Sequence, residues 1–221
     1  MLLLFGCQET FDLSKLTKTD KIVLTRVYID PVVYQNSERA RYQDSIQLTY
    51  TLQTQEMAYM LGVVNQWVSD LSKRTPFECQ SAFLYKDHAV YRQLPERAKF
   101  PGYLSLPPFK SIKIEQKAPR SLLLKGFDSV GLATLWITYA VEHKKKHFFT
   151  RKKIPYLMTT FKVDVMNNLG NSSSFSFVSS QVLSAEIPPV FSLTGAHRQV
   201  FIEGLKGVQK KTSELDLSPK K

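Results

Sequence analysis

The chain has 221 residues, 43% of them apolar, with 14 Phe, 10 Tyr and 2 Trp spread along most of its length. That composition excludes a strongly disordered chain, which lacks the aromatics to build a core, and suits one domain or two closely packed subdomains. The net charge of +11 is unevenly placed: residues 1–96 carry −1, residues 97–153 carry +10 and residues 154–221 carry +2.

The sequence opens Met1-Leu2-Leu3-Leu4-Phe5-Gly6-Cys7-Gln8, an apolar run that closes on a small residue and then cysteine. The string Leu4-Phe5-Gly6-Cys7 resembles the lipobox of bacterial prolipoproteins, with Leu three positions before the cysteine and Gly immediately before it. The resemblance implies diacylglycerol on the Cys7 thiol, cleavage before Cys7 and acylation of the new amino group. Cys7 is then the lipidation site and residues 1–6 the remnant of a signal peptide. Residues 7–20 become a tether, polar through Ser14, Thr17, Lys18, Thr19 and Asp20. Two features depart from the pattern. The five apolar residues before Gly6 fall short of the roughly 7 to 15, with a basic leader, of a full signal peptide. Phe5 is bulkier than the usual Ala or Ser, which is similar to the looser pattern of spirochaetal lipoproteins. The resemblance covers about seven residues and says nothing of the fold. No segment approaches the ~18 apolar residues of a membrane-spanning helix, so attachment would come through acyl chains on Cys7. The other cysteine, Cys79, is then left without an intramolecular partner and reads as a buried, inert thiol.

Lys21 to Asp30 alternates apolar and polar residues and is rich in β-branched types, which predicts a strand ending at Pro31. Ser45 to Leu52 repeats the pattern. From Thr54 to Ser72 the period changes, and Met57, Leu61, Val64, Val68 and Leu71, widened by Met60 and Trp67, predict an amphipathic helix that covers a sheet. Lys73, Arg74 and Pro76 supply its stop. Ser81 to Gln93 reads as two short strands around Lys86-Asp87-His88. Residues 94–109, with Pro95, Pro101, Pro107, Pro108 and Gly102, break regular structure and mark a subdomain boundary or functional loop, unless Tyr103, Leu104, Leu106 and Phe109 fold back on the core.

Beyond this point Ser111–Glu115, Ser121–Leu124, Leu132–Glu142, Tyr156–Met166 and Phe175–Leu183 read as strands, with Asn167-Asn168-Leu169-Gly170-Asn171 as the clearest turn. A last amphipathic helix fits Ala196 to Thr212, weakened by Gly204 and Gly207, and residues 214–221 read as a frayed tail.

The chemistry-bearing patterns are few. There is no phosphate-binding glycine loop, no H-E-x-x-H and no paired C-x-x-C. Ser129 in Gly126-Phe127-Asp128-Ser129-Val130-Gly131 fails the nucleophile-elbow test, because Phe127 stands where glycine is needed. His143 and His147 bracket three lysines that repel a cation, and Asp87-His88 reads as a turn rather than half a dyad. What remains is a basic segment, Lys144, Lys145, Lys146, Arg151, Lys152 and Lys153, with Phe148 and Phe149 between the clusters. If the flanking strands pair as a hairpin, six charges and two rings gather at one end of the sheet. That chemistry suits anionic lipid, an acidic protein or single-stranded nucleic acid; the plain alternative is a solvated hairpin tip.

The reading is therefore an α+β fold, mainly antiparallel β-sheet, with an amphipathic helix near 54–72 and a C-terminal helix near 196–212. Residues 21–213 form a single domain, with the subdomain boundary, where there is one, near 94–109. The expected function is that of a lipid-anchored bacterial envelope protein, membrane-attached through Cys7 and acting by binding, without catalysis, cofactor or metal. Anionic lipid or another envelope protein would be its partner. A soluble intracellular nucleic-acid-binding protein is the alternative, and an envelope hydrolase acting through His88 or Ser129 stands third.

Overall fold

The computed structural model describes residues 11–36, 48–49, 54–85, 89, 92, 103–106, 109–145 and 153–182. They build a seven-stranded sheet. Its main path runs β2 (Leu48–Thr49), β1 (Lys21–Asn36), β5 (Gly131–Lys145), β6 (Lys153–Asn167) and β7 (Ser172–Val182), while β3 (Glu78–Ser81) and β4 (Leu104–Ser105) also pair with β1. Four pairings are antiparallel; β1 runs parallel to β3 and β5. The helices α1 (Thr54–Arg74) and α2 (Lys117–Phe127) complete an α+β architecture, and Ala89 and Arg92 are also helical.

β1 is buried continuously from Ile22 to Asp30, so elements must cover both of its faces. A register shift between Leu24 and Arg26 inserts one extra residue, Thr25, whose hydroxyl donates to the Ala133 carbonyl at 3.2 Å. The insertion brings Leu24, Val27 and Ile29 onto one face. They stand beside Ala133, Leu135 and Ile137 of β5, then Val165, Val163 and Phe161 of β6, with Phe175 and Phe177 of β7. α1 lies on this face through Met60, Val64, Trp67, Val68 and Leu71. The Trp67 ring meets Phe161 and Phe177 edge-on, with centroids 5.4 and 5.8 Å away.

The opposite face divides. Over β6 and β7 it meets solvent with Lys162, Ser174 and Ser176. Over β1 and β5 it carries Arg26, Tyr28 and Trp136, and chain from Tyr103 to Phe127 closes over them. Tyr28 stacks on Trp136 at 4.7 Å and meets the Ser111 hydroxyl at 3.2 Å.

Several expectations are corrected. The first strand does not stop at Pro31: β1 continues to Asn36 across a second irregularity, where four steps along β1 match two along β5. Pro31 sits in that bulge, where its missing N–H removes no ladder bond. The segment Ser111–Glu115 buries Ile112 and Ile114 and exposes Lys113 and Glu115, yet it is not a strand: it enters a turn at Ile114, whose N–H bonds back to Ile112 O at 2.9 Å, with Gln116 N bonding Lys113 O at 3.1 Å. Arginines occupy its carbonyls: Arg26 reaches Ile112 O at 2.9 Å, and Arg120 reaches Ile114 O and Glu115 O at 3.0 Å each.

Ser121–Leu124 is helical, not a strand. The buried positions Arg120, Leu123, Leu124 and Phe127 have helical spacing that a four-residue window hides. Pro119 is admitted in the first turn, and Asp128, at φ 49°, ends the helix in the left-handed region by bonding back to Leu124 O and Lys125 O. Of the strand pair expected over Ser81–Gln93, Ser81 ends β3, and Ala82–Tyr85 is a 3₁₀ turn. The Ser81 hydroxyl bends the chain by accepting from Phe83 N. In the 94–109 connection, Leu106 and Phe109 are buried and Leu104 pairs with Ile29, so the described part lies on the core. The helix expected near 196–212 and the tail after it lie outside the described residues.

Arg26 is 4% exposed and serves Thr134 Oγ1, Ile112 O and Glu115 Oε1, each at 2.9 Å. Arg26→Ala is expected to lower unfolding free energy in urea by about 2–4 kcal/mol, because it strands the buried acceptors. Arg26→Lys should lose most of the same amount, since one ammonium cannot span three acceptors on separate segments.

Candidate functional site

The described residues that adjoin the two features singled out in the sequence, Phe11 on one side and Lys144, Lys145 and Lys153 on the other, fall at opposite ends of the sheet. β5 and β6 pair in unbroken register from Gly131↔Asn167 to Lys145↔Lys153, so they do form one hairpin. Lys144, Lys145 and Lys153 lie on the strand ends at its far tip. Lys146, Phe148, Phe149, Arg151 and Lys152 belong to the connection and lie outside the described residues. Fourteen steps along β5 correspond to roughly 45 Å of strand.

Cys7 also lies outside the described residues, but Phe11 is described and sits at the near end. Its N–H bonds to Ser172 O at 3.4 Å, and its ring edge lies 3.2 Å from where a side chain on Gly131 would begin. Residues 11–20, expected to be free tether, are laid on the body instead. Phe11, Leu13 and Leu16 pack against the core, and Lys18 Nζ donates to Thr75 O and Ser72 O. Apolar residues at 11, 13 and 16 explain the docking, and only Gln8–Thr10 then separate Cys7 from the docked chain. Cys7 can lie at most ~14 Å from Phe11 along four extended residues.

The near end is built around the turn after β6. Asn167 Oδ1 accepts from Leu169 N and Asn171 N, and Gly170, at φ 93°, supplies the left-handed position. α2 holds the turn from the side: Arg120 donates to Asn168 O, and Ser121 Oγ to Asn168 Oδ1 at 2.8 Å. Gly170 is required twice over, because a Cβ there would meet the Arg120 guanidinium at 3.2 Å. Beside the turn an open cleft of about 750 Å³ is walled by Phe11, Lys21, Ser121, Lys125, Ser129 and Leu169, among others. Ser129 Oγ is buried there without a hydrogen-bond partner.

The sequence reading missed this end. The available signal was Leu169, a leucine at the tip of a turn where polar residues are the norm, and it is 77% exposed.

Catalytic patterns gain no support from the geometry. Ser129 closes α2, its N–H bonding Leu124 O at 2.9 Å, so the glycine-flanked segment is a helix end leading into β5. His88 and His147 lie outside the described residues, and His143 sits on β5 opposite Pro155. Among the described residues no cluster of three metal-capable side chains occurs, and no described helix is long and apolar enough to cross a membrane. Cys79 lies on β3, opposite Ile22 of β1, with its N–H donating to Ser72 Oγ at the end of α1. Burial pushes its thiol up to about 11, against a smaller opposing hydrogen bond from Thr75.

No protein-family model and no curated protein matches the chain. Solved bacterial structures overlap it loosely. A neuraminyllactose-binding hemagglutinin homologue from Helicobacter pylori has 12% identity and a TM-score of 0.38, covering 99% of this chain and 91% of its own. The lipoprotein GNA1162 from Neisseria meningitidis has 8% identity and a TM-score of 0.38, covering 89% and 99%. A DUF330 protein from Xanthomonas campestris has 8% identity and a TM-score of 0.35, covering 89% and 81%. The functional reading rests on this chain's own residues.

The Cys79 environment has a direct chemical consequence. In a chain carrying Cys7→Ser, a disulfide reagent at pH 8 should modify native Cys79 about a hundredfold more slowly than the unfolded chain. The folded pKa is raised from 9.0 to about 11, so the thiol's contribution to stability is present below pH 9 and fades as pH rises towards 11. Equal rates in the folded and unfolded chain would contradict the burial.

Proposed function

We propose that this chain is a lipid-anchored protein of the bacterial envelope, attached through Cys7 and acting by binding an acidic partner through the basic end of the β5–β6 hairpin. The observation that carries the reading is the polarity of the body. The docked segment that follows Cys7 and the strand ends bearing Lys144, Lys145 and Lys153 are separated by the length of the hairpin.

This separation favours one of the two ligands that the charge cluster suits. A Cys7 held in a bilayer keeps the Phe11 end within ~14 Å of it. With the hairpin directed away from that bilayer, Lys144, Lys145 and Lys153 stand beyond the ~8–10 Å over which its head-group charge is felt at physiological salt. An acidic surface on another envelope component is the better-placed partner. Phe148 and Phe149 supply apolar contact between the two clusters of charge.

The anchoring half is tested by feeding labelled palmitate to a bacterium expressing the gene with its upstream codons. Label that disappears in Cys7→Ser supports the anchor; absence of label from the parent sequence overturns it.

The binding half is tested by reversing the charges of Lys144–Lys146 and Arg151–Lys153 together. Binding to immobilised polyglutamate should fall at least about tenfold at 50 mM salt, while binding to anionic vesicles stays unchanged. Unchanged polyglutamate binding overturns the acidic-partner reading. Retention of single-stranded DNA with a steep salt dependence, lost on the same reversal, would favour the nucleic-acid reading instead.

A further inference from the structure

We infer that the end of the sheet formed by the 168–171 turn, the exposed side of α2 and Val130 is a lipid-facing surface, seated on the same bilayer that holds Cys7. The inference rests on the proposed anchor for its setting and adds the face through which the body meets the membrane.

Three observations converge. The first is apolar exposure. The described large apolar residues that stand exposed are Leu84, Leu122, Val130 and Leu169, at 72%, 44%, 37% and 77%. All but Leu84 belong to this end. Val130 and Leu169 rim the same cleft, and Leu122 lies on the exposed side of α2 that also carries Ala118 and Lys125. The turn is made by Asn167 and Gly170, and the Leu169 side chain, at the rim of the cleft, stays 77% exposed.

The second is the course of the chain. Phe11 lies against Gly131 and Ser172 and helps wall that cleft, so the described chain begins at this end, four residues after Cys7. An acyl chain on Cys7 therefore draws this end, and not the hairpin tip, towards the bilayer.

The third is rigidity with flanking charge. Arg120 and Ser121 bind the turn to α2, which presents Leu169 and Leu122 on one firm platform. Lys117 and Lys125 are exposed on α2 beside them, placed to meet lipid phosphates, with Asp128 the one exposed acid at the end of the same helix. The small positive excess, with Lys21 added at the cleft wall, supplements the apolar insertion of the leucines.

The low reactivity of Cys79 allows a test that does not depend on whether the cell lipidates the chain. Cys7 of the full chain is coupled to a maleimide-headgroup lipid in vesicles of phosphatidylethanolamine and phosphatidylglycerol, with or without brominated acyl chains. Leu169→Trp and Leu84→Trp are compared, the parent protein giving the background from Trp67 and Trp136. Brominated lipid is expected to quench the added emission of Leu169→Trp by at least about half and to leave that of Leu84→Trp unchanged, because bromine quenches only rings that enter the acyl region. Leu169→Asp, uncoupled and carrying Cys7→Ser, should partition onto the same vesicles about tenfold less than Cys7→Ser alone. An unquenched Leu169→Trp, or equal quenching at both positions, overturns the lipid-facing end. Palmitate labelling, read separately, decides whether the anchor itself exists.

Discussion

Two buried arginines hold the body together by satisfying carbonyls that no strand or helix can. Burying the irregular 111–116 segment against the sheet exposes the protein to the cost of unpaired backbone oxygens. Arg26, from the middle of β1, takes Ile112 O, and Arg120, from the first half of α2, takes Ile114 O and Glu115 O. With those carbonyls bonded, Ile112 and Ile114 are buried in the core without a ladder partner. Arg26 is further balanced by Glu115, whose half-exposed carboxylate keeps one end of the ion pair in water and so limits its desolvation cost.

The same groups explain how the sheet acquires two different faces. α1 supplies a continuous apolar stripe to one side, and the edge-on packing of Trp67 against Phe161 and Phe177 carries that core to β7. The other side is closed only over β1 and β5. Beyond Trp136 the surface turns polar, and the Trp136 indole donates to Asp164 at the border. Arg120 extends the network past the sheet by gripping Asn168 O, which couples the sheet's near end to α2. A site at that end is therefore held by core interactions rather than by a free loop.

This arrangement gives the molecule a direction. The chain following Cys7 joins the body at the end where β5 begins, and the hairpin carries Lys145 and Lys153 to the other. One end has exposed leucines and only a small positive excess; the other has the strand ends that lead into the densest run of basic residues in the sequence. The proposed anchor and the proposed binding surface would thus occupy different ends of the body.

Much of this was legible in the residues. The stripe of Val64, Trp67, Val68 and Leu71 has one period and α1 follows it; the alternation in β6 and β7 likewise needs no partner to be read, since those strands bury alternate side chains, whereas β5 is buried continuously from Gly131 to Leu135 because both of its faces are covered. The turn after β6 and the cluster around Lys145 and Lys153 were equally visible, as composition. What tertiary structure alone decided is where local pattern and backbone pairing part company. Ser111–Glu115 alternates as a strand does but bonds to arginines, Ser121–Leu124 is apolar as a strand is but completes a helical stripe, and β1 passes Pro31 in a bulge. The placement of Phe11 and Lys145 at opposite ends belongs to the same class. A sequence states which side chains seek burial and which seek water; which backbone groups pair, and which distant segments then share an end, follows only from packing the whole chain.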